Sequence, residues 1–271
     1  MERNQLEERI ASFPSWQYEF EFDGGVKTPL GDLQRVNRQE QRRRYFFDAL
    51  LRVTGGSLRG HRVLDLGCNA GFWSLQAIEA GADFVLGVDG RDSYIEQANL
   101  VFEAKGIERE RYRFEEANIF AHRFTEQFDV VLCLGLLNVV CKPVALFELM
   151  ARCGAELIVL DSGVSRAWGS FFEFSHLLEA RNAVDYDMVL VPTRQAVVDL
   201  AGQFGFNTVP LAQNITDYTR MEDYGSGRRL AFICSRGVSL DALAVEKAPP
   251  ANGWMAMAAR AASDLSRRLR G

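Results

Sequence analysis

The sequence predicts a doubly wound α/β fold, in which helices cover both faces of a mostly parallel seven-stranded sheet and an N-terminal helical and hairpin cap precedes it. Three observations support this prediction. From residue 61 onward, short and almost wholly apolar runs alternate with helical segments, which is typical of a buried parallel sheet. A glycine-rich turn, GCNAG, follows the first run. The last two runs are joined by a polar loop, which favours an antiparallel pair at the end of the sheet.

The composition bounds the class of protein. The chain has 271 residues, 48% of them hydrophobic and 25% charged, which predicts one domain with additions and a substantial core. A net charge of −5 disfavours a protein that coats a nucleic-acid backbone. The five cysteines form no C-x-x-C pair and the three histidines have no metal-ligand spacing, so we expect reduced thiols, a cytoplasmic location and no metal. Without an apolar signal core or a membrane-length apolar run, no membrane contact is expected.

The chain divides into three predicted parts: a cap of residues 1–60, a core of residues 61–236, and a tail of residues 237–271. In the cap, the alternating stretch WQYEFEF predicts a strand and the following DGG a turn. The aromatic-rich segment 162–191 is predicted to be a lid inserted into the core. The predicted helices and strands outside the core are Glu2–Ala11, Trp16–Phe22, Val26–Thr28, Arg35–Val53 and, in the tail, Trp254–Leu269.

Within the core, strand and helix patterns alternate five times before the lid. Proline at a first helical turn and glycine just after a last turn mark the helix ends. The predicted strands are His61–Leu66, Phe84–Asp89, Tyr112–Glu116, Phe128–Leu134, Leu157–Asp161, Asn207–Leu211 and Leu230–Ser235. The predicted helices are Phe72–Ala80, Asp92–Lys105, Pro143–Cys153 and Pro192–Phe204.

The stretch RVLDLGCNAGFW indicates what the turn binds. A turn of this kind is expected to point backbone N–H groups at a ligand, but the middle glycine that admits a pyrophosphate in G-x-G-x-x-G is absent. Asp65 beside the turn suits a cationic group, and Asp89 at the end of the second strand suits two ribose hydroxyls. A ligand with a ribose, a positive charge and no phosphates is S-adenosylmethionine (SAM).

Two motifs, VLDLGCNAGFWS and VLGVDG, resemble motifs one and two of the class I SAM-dependent methyltransferases, and FDVVLCLGLL resembles their fourth motif. Together they span residues 61–161. The resemblance implies a Rossmann-like methyltransferase fold, with SAM as cofactor and S-adenosylhomocysteine (SAH) as product. The stretch WQYEFEFDGGVKTP resembles the N-terminal hairpin of one branch, which includes enzymes acting on the wobble uridine of tRNA and many methyltransferases of unassigned substrate.

The resemblance also assigns roles by position. The turn would line the methionine part, Asp89 would hold the ribose hydroxyls, residues 90–91 and 117–119 would edge the adenine, and residues 133–135 would close over the methyl end. The implied cofactor-binding residues are Asp65, Gly67, Cys68, Asn69, Gly71, Asp89, Gly90, Arg91, Ala117, Asn118, Ile119, Cys133, Leu134 and Gly135.

The acceptor side is less specific. Many relatives of this branch carry Leu-Tyr-His after the fourth strand, whereas this chain has Leu136-Leu137-Asn138, and an amide is no general base. His176 in the lid is the nominated base if the acceptor is a hydroxyl; the alternative is a partly buried histidine of a lid helix. The acceptor is expected to contact Asn138, the lid and the cap aromatics, of which alternate ones would otherwise pack on the sheet. The nominated acceptor-binding residues are Trp16, Tyr18, Phe172 and Tyr186.

Three functions stay open at this point. The first is methyl transfer to a small molecule, a natural product or sugar, at oxygen or nitrogen. The second is a tRNA wobble-uridine-modifying transferase, to which Arg42-Arg43-Arg44 would contribute phosphate contacts unless the run is the solvated side of a helix. The third is SAM binding without catalysis. A metal is disfavoured because only Asp161 occupies a strand end where some O-methyltransferases bind magnesium. A monomer and a homodimer are both consistent with the sequence.

Overall fold

A computed structural model of the chain describes residues 1–30, 34–176 and 188–245. Its centre is a seven-stranded sheet of order β3-β2-β1-β4-β5-β9-β8, in which β1 to β5 are parallel and β9 runs antiparallel to both β5 and β8. The predicted doubly wound fold is therefore confirmed. The strands of this sheet are β1 (Arg62–Leu66), β2 (Phe84–Asp89), β3 (Tyr112–Glu116), β4 (Val130–Leu134), β5 (Leu157–Gly163), β8 (Asn207–Pro210) and β9 (Arg229–Ser235). A separate antiparallel hairpin consists of β6 (Phe172–His176) and β7 (Met188–Pro192).

Helices cover both faces of the sheet, and alternate residues of each strand enter two different apolar clusters. In β1, for example, Val63 belongs to the cluster under the N-terminal helices, while Leu64 and Leu66 belong to the cluster on the other face. Burial on both faces explains the nearly continuous apolar runs. The helices are α1 (Arg3–Ala11), α2 (Gln34–Arg42), α3 (Asp48–Val53), α4 (Phe72–Glu79), α5 (Asp92–Ala104), α6 (Pro143–Arg152), α7 (Arg194–Gln203) and α8 (Glu222–Gly225).

The strand order reverses at β1, which pairs with β2 on one side and with β4 on the other. The chain after β1 and β2 therefore turns to one side of the sheet and the chain after β4 to the other, which opens a crevice at their carboxyl ends. The glycine turn, the end of β2 and the end of β4 all meet at this crevice. The topology thus brings the predicted site residues of three motifs together.

The predicted cap hairpin is only partly present. Glu21 and Lys27 form a single antiparallel bridge, so residues 16–22 are not a paired strand. The alternation is nevertheless real, because the four aromatic side chains of WQYEFEF are all buried in the core. Two backbone bonds flank this bridge, from Phe22 N to Val26 O and from Thr28 N to Phe20 O. Earlier in the stretch the backbone bonds to side chains: Phe20 N donates to Thr28 Oγ1 and Glu19 N donates to Gln39 Oε1. At these two residues side-chain acceptors therefore replace the carbonyls of the predicted partner strand.

The predicted helix over residues 35–53 is interrupted by a π-helical segment, Arg43–Phe47, between α2 and α3. Such a segment adds a residue to one turn and changes which side chains face inward. Tyr45, Phe46 and Phe47 are buried, while Arg43 and Arg44 pair with Glu40 at the surface.

Arg42 corrects the interpretation of the RRR run as a solvated helix side. Its guanidinium is buried, lies over the Trp73 ring at 5.1 Å and donates from Nη2 to Asp161 Oδ2 at 2.8 Å. Asp161, at the end of β5, also accepts from Arg229 Nη2 at 2.8 Å and from the Tyr224 hydroxyl at 2.8 Å. Burial alone would raise the pKa of the Asp161 carboxyl, but the two guanidinium groups outweigh burial and hold it below its ordinary value.

We expect Asp161→Asn to lower the free energy of unfolding by about 3 kcal/mol or more, because it leaves two buried guanidinium groups without their carboxylate. Glu40→Gln is the matched control, since Glu40 also binds two arginines but at the surface, and it should cost less than about 1 kcal/mol. Urea unfolding followed by circular dichroism measures both variants. Equal, small losses would contradict the central role of the buried cluster.

Candidate active site

The turn after β1 uses its own N–H groups within the chain. Gly67 N and Cys68 N donate to Val88 O at 2.8 and 3.1 Å, and Gly71 N donates to Cys68 O at 2.9 Å. Asn69 N donates to Asp89 Oδ2 at 2.9 Å, and Ala70 N donates to Asn69 Oδ1 at 2.8 Å. The expectation that this turn points free N–H groups at a ligand is therefore wrong. The geometry is unsuited to phosphates and agrees with the missing middle glycine.

The two glycines of the turn serve different purposes. Both have left-handed φ angles, +70° at Gly67 and +77° at Gly71. A Cβ on Gly71 would lie 3.1 Å from the side chains of Ala98 and Phe114, so this glycine lets the turn pack against α5 and β3. Gly67 is exposed at the crevice, and its nearest neighbour there is the Leu136 side chain, 3.7 Å from the Cβ position. Only Gly67 therefore offers backbone surface to a ligand.

Asp89, the predicted ribose-binding residue, lies at the end of β2 beside the turn. Its Oδ2 accepts from Asn69 N, and its Oδ1 accepts from Arg91 N at 3.1 Å. The residue is only partly buried, and each carboxylate oxygen retains capacity for a further hydrogen bond. Burial raises the pKa of Asp89 above its ordinary value, while the N–H groups of Asn69 and Arg91 oppose the shift. Two oxygens oriented by the backbone can accept from two vicinal hydroxyls.

Asp65 differs from the role that the resemblance implies. Its carboxylate is 1% exposed and accepts from Ser74 Oγ at 2.7 Å, so it ties β1 to the first turns of α4 from beneath the crevice. Burial raises the pKa of Asp65 to about 7, although the Ser74 hydrogen bond acts in the opposite direction. Its place favours shaping the turn over direct contact with the methionine part.

The other residues implied to bind the cofactor form two groups, one exposed at the crevice and one buried beneath it. Ala117 N donates to Asp89 O at 2.9 Å, which brings the end of β3 beside Asp89. Asn118 is exposed, and its Oδ1 accepts from Phe120 N at 3.0 Å, which leaves its amide NH₂ free of that turn. Gly90, Arg91, Ala117, Asn118, Leu134 and Gly135 lie at the crevice with at least part of their surface exposed, whereas Cys68, Ile119 and Cys133 are buried beneath it.

Arg229 is a residue of the crevice that the sequence did not indicate. Gly135 follows β4 with a φ of +94° and donates its N–H to Asp161 O at 2.7 Å. A Cβ on Gly135 would lie 3.1 Å from Arg229 Nη2. The guanidinium therefore sits beside the end of β4, next to the region that Leu136 shares with Gly67. Arg229 is the first residue of the antiparallel strand β9, and no motif in the sequence marks an arginine there as a residue of the site.

The cap reaches the crevice at Asn69, whose Nδ2 donates to Gln17 Oε1 at 2.9 Å. Its aromatic residues are less accessible than predicted. Trp16 is buried and donates from Nε1 to Ile10 O at 3.1 Å, so its nomination as an acceptor-binding residue is wrong. Tyr18 is 8% exposed and stacks on Phe72 with ring centroids 4.9 Å apart.

A cleft of about 600 Å³ lies beside the end of β4, between the segment after β5 and the β6–β7 hairpin. Asn138, Arg166, Glu173 and Arg228 are among the residues that line it. Asn138 Oδ1 accepts from Gly163 N at 3.0 Å and from Ser162 Oγ at 3.4 Å, so this amide fixes the end of β5 with its oxygen. The cleft contains residues of the predicted lid and the predicted Asn138, as expected for an acceptor pocket.

The remaining nominated residues have mixed outcomes. The backbone of His176 lies in β6 opposite Met188, whereas Tyr186 falls outside the described residues, as does the predicted tail helix Trp254–Leu269. Phe172 is half-buried; the aromatic residue of β6 that lines the cleft is Phe174. Within residues 1–30, 34–176 and 188–245, no group of three or more His, Cys, Asp or Glu side chains could hold a metal ion, and no helix is long and apolar enough to cross a bilayer.

The fold and the crevice at the strand reversal are those of an α/β enzyme domain, and the turn after β1 offers no phosphate cradle. Comparisons with known proteins agree. A family model described as a methyltransferase domain matches residues 57–166. The ubiquinone biosynthesis O-methyltransferase of Bordetella avium is 30% identical over 175 residues, which cover 58% of this chain and 70% of that protein. The protein of the same name from Pseudomonas entomophila is 39% identical over 87 residues, covering 32% and 37%.

Solved structures share the fold. The N-terminal domain of EvdMO1, determined in the presence of SAH and D-fucose, superposes with a TM-score of 0.66 at 21% identity and covers 87% of this chain and 97% of that chain. Magnesium protoporphyrin IX methyltransferase (ChlM) from Synechocystis PCC 6803 with bound SAM gives 0.54 at 17% identity, covering 86% and 91%. The chain belongs to the class I SAM-dependent methyltransferases. Membership of this SAM-dependent family makes SAM the cofactor and SAH the product formed from it.

We expect Asp89→Asn to weaken SAH binding by more than about 1 kcal/mol, because a charge-assisted acceptor of the ribose hydroxyls is lost. Because the pKa of Asp89 is raised, we also expect the affinity of the wild type for SAH to fall in acid as the carboxylate is protonated, at a higher pH than for an ordinary aspartate. Titration calorimetry measures both effects. The exposed Glu110→Gln is the control, and an unchanged affinity of Asp89→Asn would refute the ribose assignment.

Asp65→Asn tests the buried carboxyl. Since its folded-state pKa of about 7 exceeds the ordinary value of 3.8, the folded chain binds this proton more tightly, and the stability that this proton contributes falls as the pH rises between those values. We therefore compare the free energy of unfolding of Asp65→Asn with that of the wild type at each pH. The difference should favour the variant by about 2 kcal/mol more at pH 8 than at pH 5. Urea unfolding at both pH values measures this. The exposed control Asp23→Asn should differ from wild type in its free energy of unfolding by the same amount at both pH values. The same result for Asp65→Asn would show that the pKa of Asp65 is not raised.

Proposed function

We propose that this methyltransferase transfers the methyl group to an oxygen of a small molecule that occupies the cleft beside Asn138. The observation that carries the proposal is the cleft itself, because about 600 Å³ lies within the range of small-molecule sites and borders the end of β4. The proteins of Bordetella and Pseudomonas named above are O-methyltransferases by name. The EvdMO1 domain was determined with D-fucose, which supports sugars alongside aromatic natural products as acceptors to be tested.

The proposed roles follow from the geometry. SAM, when bound, supplies a methyl group on a sulfonium. Asp89 would accept from the ribose hydroxyls, Gly67 would let the ligand approach the turn, and Gly135 would leave room at the methyl end. The amide NH₂ of Asn138 would orient the acceptor oxygen, because its Oδ1 is already bonded to Gly163 N. Positioning and exclusion of water would account for most of the acceleration.

We retain His176 as the proposed base for a hydroxyl acceptor, since β6 contributes Phe174 and Ser175 to the cleft. On this proposal the cap, residues 1–60, closes the cofactor side through Gln17, and the described parts of the predicted insert, residues 162–176 and 188–191, contribute to the acceptor side. The tRNA alternative loses the support it drew from the RRR run. Arg42 is buried against Asp161, and Arg43 and Arg44 are paired with Glu40.

SAH release tests the proposal. Purified protein with SAM is incubated with panels of hydroxylated sugars, catechols and bulk tRNA, and SAH is quantified by mass spectrometry. We expect SAH above background with at least one small hydroxylated acceptor, and its loss in Asp89→Asn. SAH formation with tRNA alone would favour the alternative function, and tight SAH binding with no turnover on any panel would favour a binding protein.

A further inference from the structure

We propose that the acceptor carries a fixed negative charge, a carboxylate or a phosphate monoester, which Arg166 and Arg228 bind in the cleft. This inference rests on the proposed function, because it takes the cleft as the acceptor site. The two guanidinium groups come from different segments, one after β5 and the other before β9. The fold therefore brings them to the same cleft by tertiary structure.

Neither arginine is neutralised within the described chain. Both are exposed, and in residues 1–30, 34–176 and 188–245 no carboxylate oxygen lies within 4.0 Å of either guanidinium. The exposed Arg44 and Arg113, by contrast, are paired with Glu40 and Glu115. Two unneutralised planar donors at one cleft are suited to a carboxylate or phosphate.

Two side-chain acceptors of the cleft are partly engaged. Glu173 Oε1 accepts from Ser165 Oγ at 2.6 Å, and Asn138 Oδ1 accepts from Gly163 N. The charged and amide donors of the lining, two guanidinium groups and the Asn138 NH₂, therefore face the single carboxylate of Glu173. A ligand that complements these donors supplies acceptors, and an anionic group supplies the strongest ones.

The buried cluster of Arg42, Asp161 and Arg229, next to the cleft, is also positively charged. Arg229, the neighbour of Arg228, and Arg42 share the single buried carboxylate of Asp161, so this cluster carries one net positive charge. Little solvent screens a buried charge, so its potential reaches the adjacent cleft. Because a sulfonium is cationic as well, a cationic acceptor would be disfavoured on both counts, whereas an anionic acceptor would be stabilised.

A small acid fits these observations better than RNA. Glu173 stands in the same cleft as the two arginines, and Arg43 and Arg44 are held by Glu40. The carboxylate of Glu173 therefore offsets part of the positive charge at the cleft, and two of the arginines on which the RNA interpretation depended are paired with Glu40. The chain as a whole carries a net charge of −5. Polyanion binding requires a broad basic surface, whereas a single acidic group requires only one site.

The experiment uses the full chain saturated with SAH and compares acids with neutral partners of the same shape. The pairs are 3,4-dihydroxybenzoate with 3,4-dihydroxybenzamide, glucuronate with glucose, and glucose 6-phosphate with glucose, titrated by calorimetry. We expect at least one acid to bind about tenfold more tightly than its neutral partner, the scale of one charge-assisted hydrogen bond. The sugar pairs distinguish a carboxylate from a phosphate.

The double variant Arg166→Gln/Arg228→Gln should lose the preference, while Arg59→Gln, an exposed arginine before β1, should keep it. SAH affinity is measured for every variant. Loss of SAH binding by wild type would defeat the proposed function, whereas normal SAH binding with no preference for acids, or no binding of any pair at millimolar concentration, would overturn this inference alone. A preference that survives in the double variant, or tRNA binding tighter than that of either acid, would overturn it as well.

Discussion

The structure depends on one buried carboxylate. Asp161 lies near the carboxyl end of β5 and receives hydrogen bonds from Arg42 of α2, Arg229 of β9 and Tyr224 of α8. Removing a carboxylate from water is costly, and these donors, two of which carry the opposite charge, offset the cost. The same bonds fix the cap over the sheet and place the Arg229 guanidinium beside Gly135. The Asp161 cluster therefore both stabilises the fold and shapes the crevice at the end of β4.

The cofactor side depends on a second constraint: the N–H groups of the turn after β1 make all their hydrogen bonds within the protein. Its N–H groups bond to Val88 O, to Asp89 and within the turn, so the loop needs no ligand to complete its hydrogen bonds. The consequence is a preformed surface with the Asp89 carboxylate at the end of β2 and no free N–H groups in the turn. A phosphate would find no backbone donors there, so the backbone of the turn disfavours phosphorylated adenosines relative to SAM.

Local patterns predicted the sheet well because each strand's apolar run reports its own burial. They failed where a partner distant in sequence decides the structure. Arg42 belongs to a run that indicates a solvated helix side, and only Asp161, 119 residues away, draws it inward. Thr28 and Gln39 capture backbone N–H groups that the pattern of WQYEFEF assigns to a partner strand. In the site, Asp89 was predictable from motif order, whereas Arg229 and the burial of Asp65 required the fold.

The β6–β7 hairpin is hydrogen-bonded as a ladder of its own and is not part of the seven-stranded sheet. Replacement of its residues would therefore leave the hydrogen bonds between the strands of the main sheet intact. On the proposed function, the half of the enzyme that recognises what is methylated can diverge while the half that supplies the methyl group stays constant. A scaffold divided in this way lends itself to grafting, in which hairpins exchanged between related enzymes would carry their preferences with them.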